Sequence, residues 1–135
     1  MVRKHVLIGA QLFDTVETEF DRHARDVALY HHAWWDGGGY PSAEDLAWLR
    51  RESPKAAGPV LELRGDGIPL FARIVAMADV FDALVTPRAY KKAWTTAEAL
   101  DAIRAGAGRQ FDPQLAEMFP DVVTRLDGRR RQTAA

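Results

Sequence analysis

Leu70-Phe71-Ala72-Arg73-Ile74-Val75-Ala76-Met77-Ala78-Asp79-Val80-Phe81-Asp82-Ala83-Leu84-Val85 is apolar nearly all round. It holds no glycine or proline, and Pro69 stands just before it, where a proline suits the first turn of a helix. The spacing predicts a main helix running to about Val85. A helix without a polar side is expected to be buried. Asp79 lies near its middle, and Asp82 follows one turn later on the same side. An ionised carboxylate in such a setting costs on the order of several kcal/mol unless a cation or several donors meet it. A salt bridge to an arginine or a narrow polar face would satisfy Asp79; so would a metal.

Outward from this helix the chain reads as all-α, with about five main helices and no convincing strand. Val2 to Phe13 carries apolar residues at helical spacing, and Asp14 to Thr18 breaks it. Asp21 to Trp34 is a second helix. Between Asp36 and Gly67 come Gly37-Gly38-Gly39-Tyr40-Pro41, Ser53-Pro54, Gly58-Pro59 and Gly65-Asp66-Gly67, the marks of irregular structure. Within that stretch, Ser42 is placed to cap a short helix over Ala43 to Arg51. Thr95-Thr96-Ala97-Glu98 is a capping box opening a helix that ends at Gly106 or Gly108. Asp112-Pro113 caps and starts a last one, to about Leu126. Residues 1–128 are expected to form one domain, and the basic end Arg129 to Ala135 is expected to be a frayed, disordered tail.

Composition narrows the function classes. Of the 135 residues, 47% are apolar and 27% charged, values of a globular chain rather than a disordered one. A formal net charge of −1 gives no overall drive toward nucleic acid or an anionic membrane. The absence of cysteine excludes disulfides, thiolate nucleophiles and cysteine-ligated zinc. The apolar run Val6 to Ala10 is too short to span a bilayer and is not followed by a cleavage site, so a cytoplasmic protein is expected.

Four histidines carry the remaining chemistry. His31 and His32 are adjacent, and on a helix they would point about 100° apart. Such a pair can serve one metal from two directions, or face a metal and a ligand. His5 adds a third imidazole on the preceding helix, where a hydrogen-bonded core histidine is the ordinary alternative. His23, among Asp21, Arg22 and Arg25, is expected to face solvent. Three imidazoles with the carboxylate of Asp79 suit a divalent transition metal such as iron, manganese or zinc.

His31-His32-Ala33-Trp34-Trp35-Asp36-Gly37-Gly38-Gly39-Tyr40-Pro41 resembles the signature of HD-GYP domains, a histidine pair followed shortly by Asp-Gly-x-Gly-Tyr-Pro. Lys4-His5-Val6-Leu7-Ile8-Gly9 is similar to that family's His-x-x-x-Gly helix. Ile68 to Ile74 with Ala78 to Leu84, then Arg88-Ala89-Tyr90-Lys91, then Gly108-Arg109-Gln110-Phe111-Asp112-Pro113, look like its later blocks in order. The similarity reaches to about Phe119.

The resemblance implies a metal-dependent phosphodiesterase hydrolysing cyclic di-GMP in bacterial signalling. It implies metal ligands at His5, His31, His32 and Asp79, with Asp79 and Asp82 as the catalytic carboxylates. Arg88 and Lys91 would contact the substrate, and Tyr40 and Pro41 would shape its loop and bear on a regulatory protein partner. Three departures accompany it. The family's upstream histidine, His-Asp pair and lysine would precede His5, while the chain begins at Met1, which implies an incomplete second metal site. Ala33 stands where the family has glutamate. The stretch Ser42 to Gly65, expected to lie mostly on the surface, exceeds the family's short link, and Trp48, Arg50 and Arg51 in it have no counterpart. A catalytically inactive remnant serving as a binding module, and a phosphohydrolase of another nucleotide, are the competing readings.

Overall fold

The computed structural model describes residues 4–15, 18–59, 61–87 and 92–133. Among these it contains seven α-helices and no strand, as the sequence predicts for an all-α chain. They are α1 (Lys4–Gln11), α2 (Glu19–Tyr30), α3 (Ala43–Glu52), the one-turn α4 (Pro54–Ala57), α5 (Leu70–Val85), α6 (Thr96–Ala105) and α7 (Pro113–Thr133). No helix among the described residues is long and apolar enough to cross a membrane.

Local chemistry sets most of the boundaries. Thr18, Ser42 and Thr95 each accept from the amide of the third helical residue. Asp21, Asp45 and Glu98 answer by accepting from the cap's own backbone, giving three complete capping boxes. α7 begins at Pro113 with Asp112 Oδ1 accepting from the amide of Gln114 at 2.9 Å. It continues beyond Leu126, to Thr133.

α1 packs on α2, α2 on α5, α5 on α6 and α6 on α7, while α3 pairs with α4 and α4 rests on α1. Two apolar clusters result. One gathers Val6, Ala10, Leu29, Tyr30, Leu49, Ile68 and Ala72, and the other Met77, Ile103, Phe111 and Ala116. α5 contributes to both, so it is the element that joins the two halves.

One expectation needs correction. α5 is not buried on all sides: Ala72, Ala76 and Met77 face its neighbours, whereas Leu70, Phe71, Ile74, Asp79 and Asp82 are exposed. Its neighbours α2 and α6 cover one side only, so the two aspartates sit in solvent without an apolar surround. The stretch from Ser42 to Gly65 does lie mostly at the surface, as expected, but not entirely. Leu46, Leu49, Ala56 and Ala57 are buried in the first cluster, because α3 and α4 turn their apolar sides onto α1 and α2.

Candidate metal centre

α2 ends at Tyr30, earlier than the expected Trp34, and this sets the geometry of the histidine pair. His31 is the C-cap and His32 begins a turn rather than another helical residue. The cause is tertiary. The amides of Trp35 and Asp36 donate to the carbonyls of Gln110 and Arg109, and the amide of Gly65 donates to the carbonyl of Trp35. Those bonds pull the chain away from the helix axis. The turn closes with Trp34 N–H to Gly38 carbonyl and Tyr40 N–H to His32 carbonyl. Gly39 adopts φ +77°, and a Cβ there would run into the His32 carbonyl, so only glycine fits this return. A cis Tyr40-Pro41 peptide follows.

Around this turn the imidazoles of His5, His31 and His32 converge, with one ligand nitrogen of each within 4.8 Å of the others. The ring centroids of His31 and His32 lie 4.2 Å apart, and His5 is 5.5 and 5.1 Å from them. Tyr40 stacks on His32 at 4.6 Å. Nδ1 of His31 lies 2.8 Å from the carbonyl of Val27, an oxygen that can only accept. That contact assigns the proton to Nδ1 and leaves the Nε2 lone pair for a cation, the usual arrangement of a metal-bound histidine. His32 is pushed down to about 4, chiefly by burial and then by the neighbouring His31 and His5. It therefore stays neutral, as a ligand must. The donor set fits a first-row divalent cation.

The other candidate residues divide. Asp79 is outside the group of mutually close ligand atoms, but its charge is felt at His32, where it opposes the downward shift. Asp82 accepts from the Thr86 hydroxyl at 3.3 Å. Tyr40 lies against the histidines, while Pro41 is buried behind the loop. Arg88 and Lys91 lie outside the described residues. His23 is exposed, 3.7 Å from Glu19, and takes no part.

The sequence did not flag Arg73 as a positioning group. Its guanidinium donates to the Ile68 carbonyl at 2.9 Å, to Asp66 at 3.1 Å and to Asp112 at 2.5 Å, and it lies 5.6 Å from the Trp35 ring. One side chain thus holds α5, the start of α7 and the turn after the histidines together. A lone arginine in an apolar helix was the only available signal.

Comparison with known proteins agrees with this geometry. The family model of the HD domain matches residues 1–115. A 3'3'-cGAMP-specific phosphodiesterase 2 from Vibrio cholerae is 35% identical over 119 residues, which cover 88% of this chain and 19% of that protein. The cyclic di-GMP phosphodiesterase response regulator RpfG of Xanthomonas campestris is 38% identical over 117 residues, covering 87% of this chain and 26% of that one. A cyclic di-GMP phosphodiesterase of Thermotoga maritima is 29% identical over 119 residues, 88% of this chain and 27% of its own length. The chain thus spans about a fifth to a quarter of the length of these relatives. With the matched segment covering most of its length, and the histidines lying inside that segment, this chain belongs to the HD domain family.

Proposed function

We propose that the chain is a metal-binding part of an HD-GYP phosphodiesterase that acts on cyclic di-GMP or a related cyclic dinucleotide. The observation that carries the reading is the convergence of His5, His31 and His32 beside Tyr40, with the His31 proton directed away from the cluster. A divalent cation bound there supplies Lewis acidity and positive charge toward a phosphate group. His5, His31 and His32 are its ligands, and Asp79 completes the set by a rotamer change on an exposed helix face. Iron, manganese and zinc all suit imidazole with carboxylate. Tyr40 walls the site next to His32, Arg88 and Lys91 neutralise the phosphates, and Asp82 is a further carboxylate acceptor. The loop carrying Tyr40 and Pro41 contacts a regulatory partner, and a cyclic dinucleotide substrate places the protein in the cytoplasm.

Three neutral imidazoles and one nearby carboxylate leave too few anionic ligands to hold two divalent ions, whereas phosphodiester displacement commonly uses two. The chain should therefore bind one metal and hydrolyse cyclic di-GMP near the background rate. Metal analysis of the purified chain with a cyclic di-GMP turnover assay tests this. One ion per chain, lost in His31→Ala and kept in His23→Ala, is the expected result. A chain that takes up no metal would overturn the reading. Robust turnover abolished by His31→Ala would show that more ligands act than these four.

A further inference from the structure

Between α1 and α3 is a cavity of about 360 Å³ lined by Lys4, Leu7, Ile8, Glu44, Asp45 and Trp48. Lys4 and Ile8 flank His5 on α1 at the preceding position and one turn on. The cavity therefore lies along the same helix as one histidine of the cluster. Its wall on the α3 side comes from the stretch whose length the HD-GYP resemblance does not explain.

The lining is mostly apolar, with a few polar groups of distinct kind. Trp48 is 40% exposed and lends the cavity a large aromatic ring. The Asp45 carboxylate is already engaged, accepting from the backbone amide and hydroxyl of Ser42 at 2.8 Å each. Glu44, by contrast, forms no ion pair among the described residues and is exposed. An indole face, aliphatic side chains opposite and a free carboxylate at the edge match the chemistry of one base. Guanine presents N1–H and an exocyclic amine side by side, two donors for the two oxygens of a carboxylate. Adenine presents an acceptor at N1, which a carboxylate repels. Lys4 adds a cation at the cavity wall.

We infer that this cavity holds a guanine base of the cyclic dinucleotide, stacked on Trp48 and read by Glu44. The inference rests on the phosphodiesterase reading, and it makes Trp48 and Glu44 specificity-determining residues rather than catalytic ones.

Calorimetric titration of the full chain, with manganese present, tests it using cyclic di-GMP, 3'3'-cGAMP and cyclic di-AMP. One guanine pocket predicts binding of the first two and at least about tenfold weaker binding of the third. Trp48→Ala should weaken cyclic di-GMP about tenfold, and Trp48→Phe should restore it to within about threefold, since stacking needs only an aromatic face. Glu44→Gln should erase most of the preference over cyclic di-AMP. Unaltered cyclic di-GMP affinity in Trp48→Ala, or equal affinity for cyclic di-AMP in the parent, overturns the guanine pocket and leaves the functional reading standing. Failure of the parent to bind any of the three overturns both.

Discussion

The contact between His31 Nδ1 and the Val27 carbonyl turns an ordinary feature of helix ends into chemistry. The Val27 carbonyl closes the helix by accepting from the backbone amide of His31, and by also meeting that residue's Nδ1 it sets the tautomer of the ring. His32 illustrates the complementary effect of crowding. Its ordinary value is 6.5 and its value here about 4, so the unfolded chain takes up a proton that the folded chain refuses. Folding stability from this group is fully present above about pH 6.5 and is lost as pH falls from there toward 4. The metal-free chain should therefore lose stability in chemical denaturation across that range, and His32→Gln should flatten the loss relative to the parent. A parent and variant with the same slope would remove His32 as the cause. Residue identities at the cluster were legible from the sequence, because three histidines near a glycine-rich turn are conspicuous. Their presentation was not. The end of α2 depends on bonds to Arg109 and Gln110, far along the chain, which no local pattern encodes.

Helices beginning in capping boxes were the most legible elements, since the signal is local: Ser42 and Thr95 sit where the helices start. α5 was legible in extent but not in surroundings. Its apolar composition reads as burial on every side, yet only the side with Ala72, Ala76 and Met77 is covered. At this level the critical joint is the pair Arg73–Asp112, whose side chains are 13% and 5% exposed. Removing one partner strands a charge in a nearly closed space, a loss of about 3–5 kcal/mol. Arg73→Ala and Asp112→Ala should each cost that much in urea denaturation, and the double variant should cost clearly less than their sum. Asp66, with its side chain 90% exposed, also meets Arg73, but Asp66→Ala should stay within about 0.5 kcal/mol of the parent. Additive single losses would mean that Arg73 and Asp112 act independently.

At the scale of the molecule, the arrangement leaves apolar surface open. Leu12 and Phe20 are 81% and 78% exposed, and Phe20 shares an apolar hollow with Phe13 and Phe71, where Phe71 meets the edge of His23 at 4.6 Å. Contiguous exposed apolar area favours association. The chain should sediment with a concentration-dependent mass, and Leu12→Ser with Phe20→Ser should reduce that dependence without lowering the melting temperature. A melting temperature that drops would show that these side chains are covered in solution. α5 has a different consequence. Because one helix supplies Ala72 to the first apolar cluster and Met77 to the second, neither can come apart while the other keeps that helix wound. Heating should accordingly produce one peak of heat absorption, whose area yields the same enthalpy as its sharpness does.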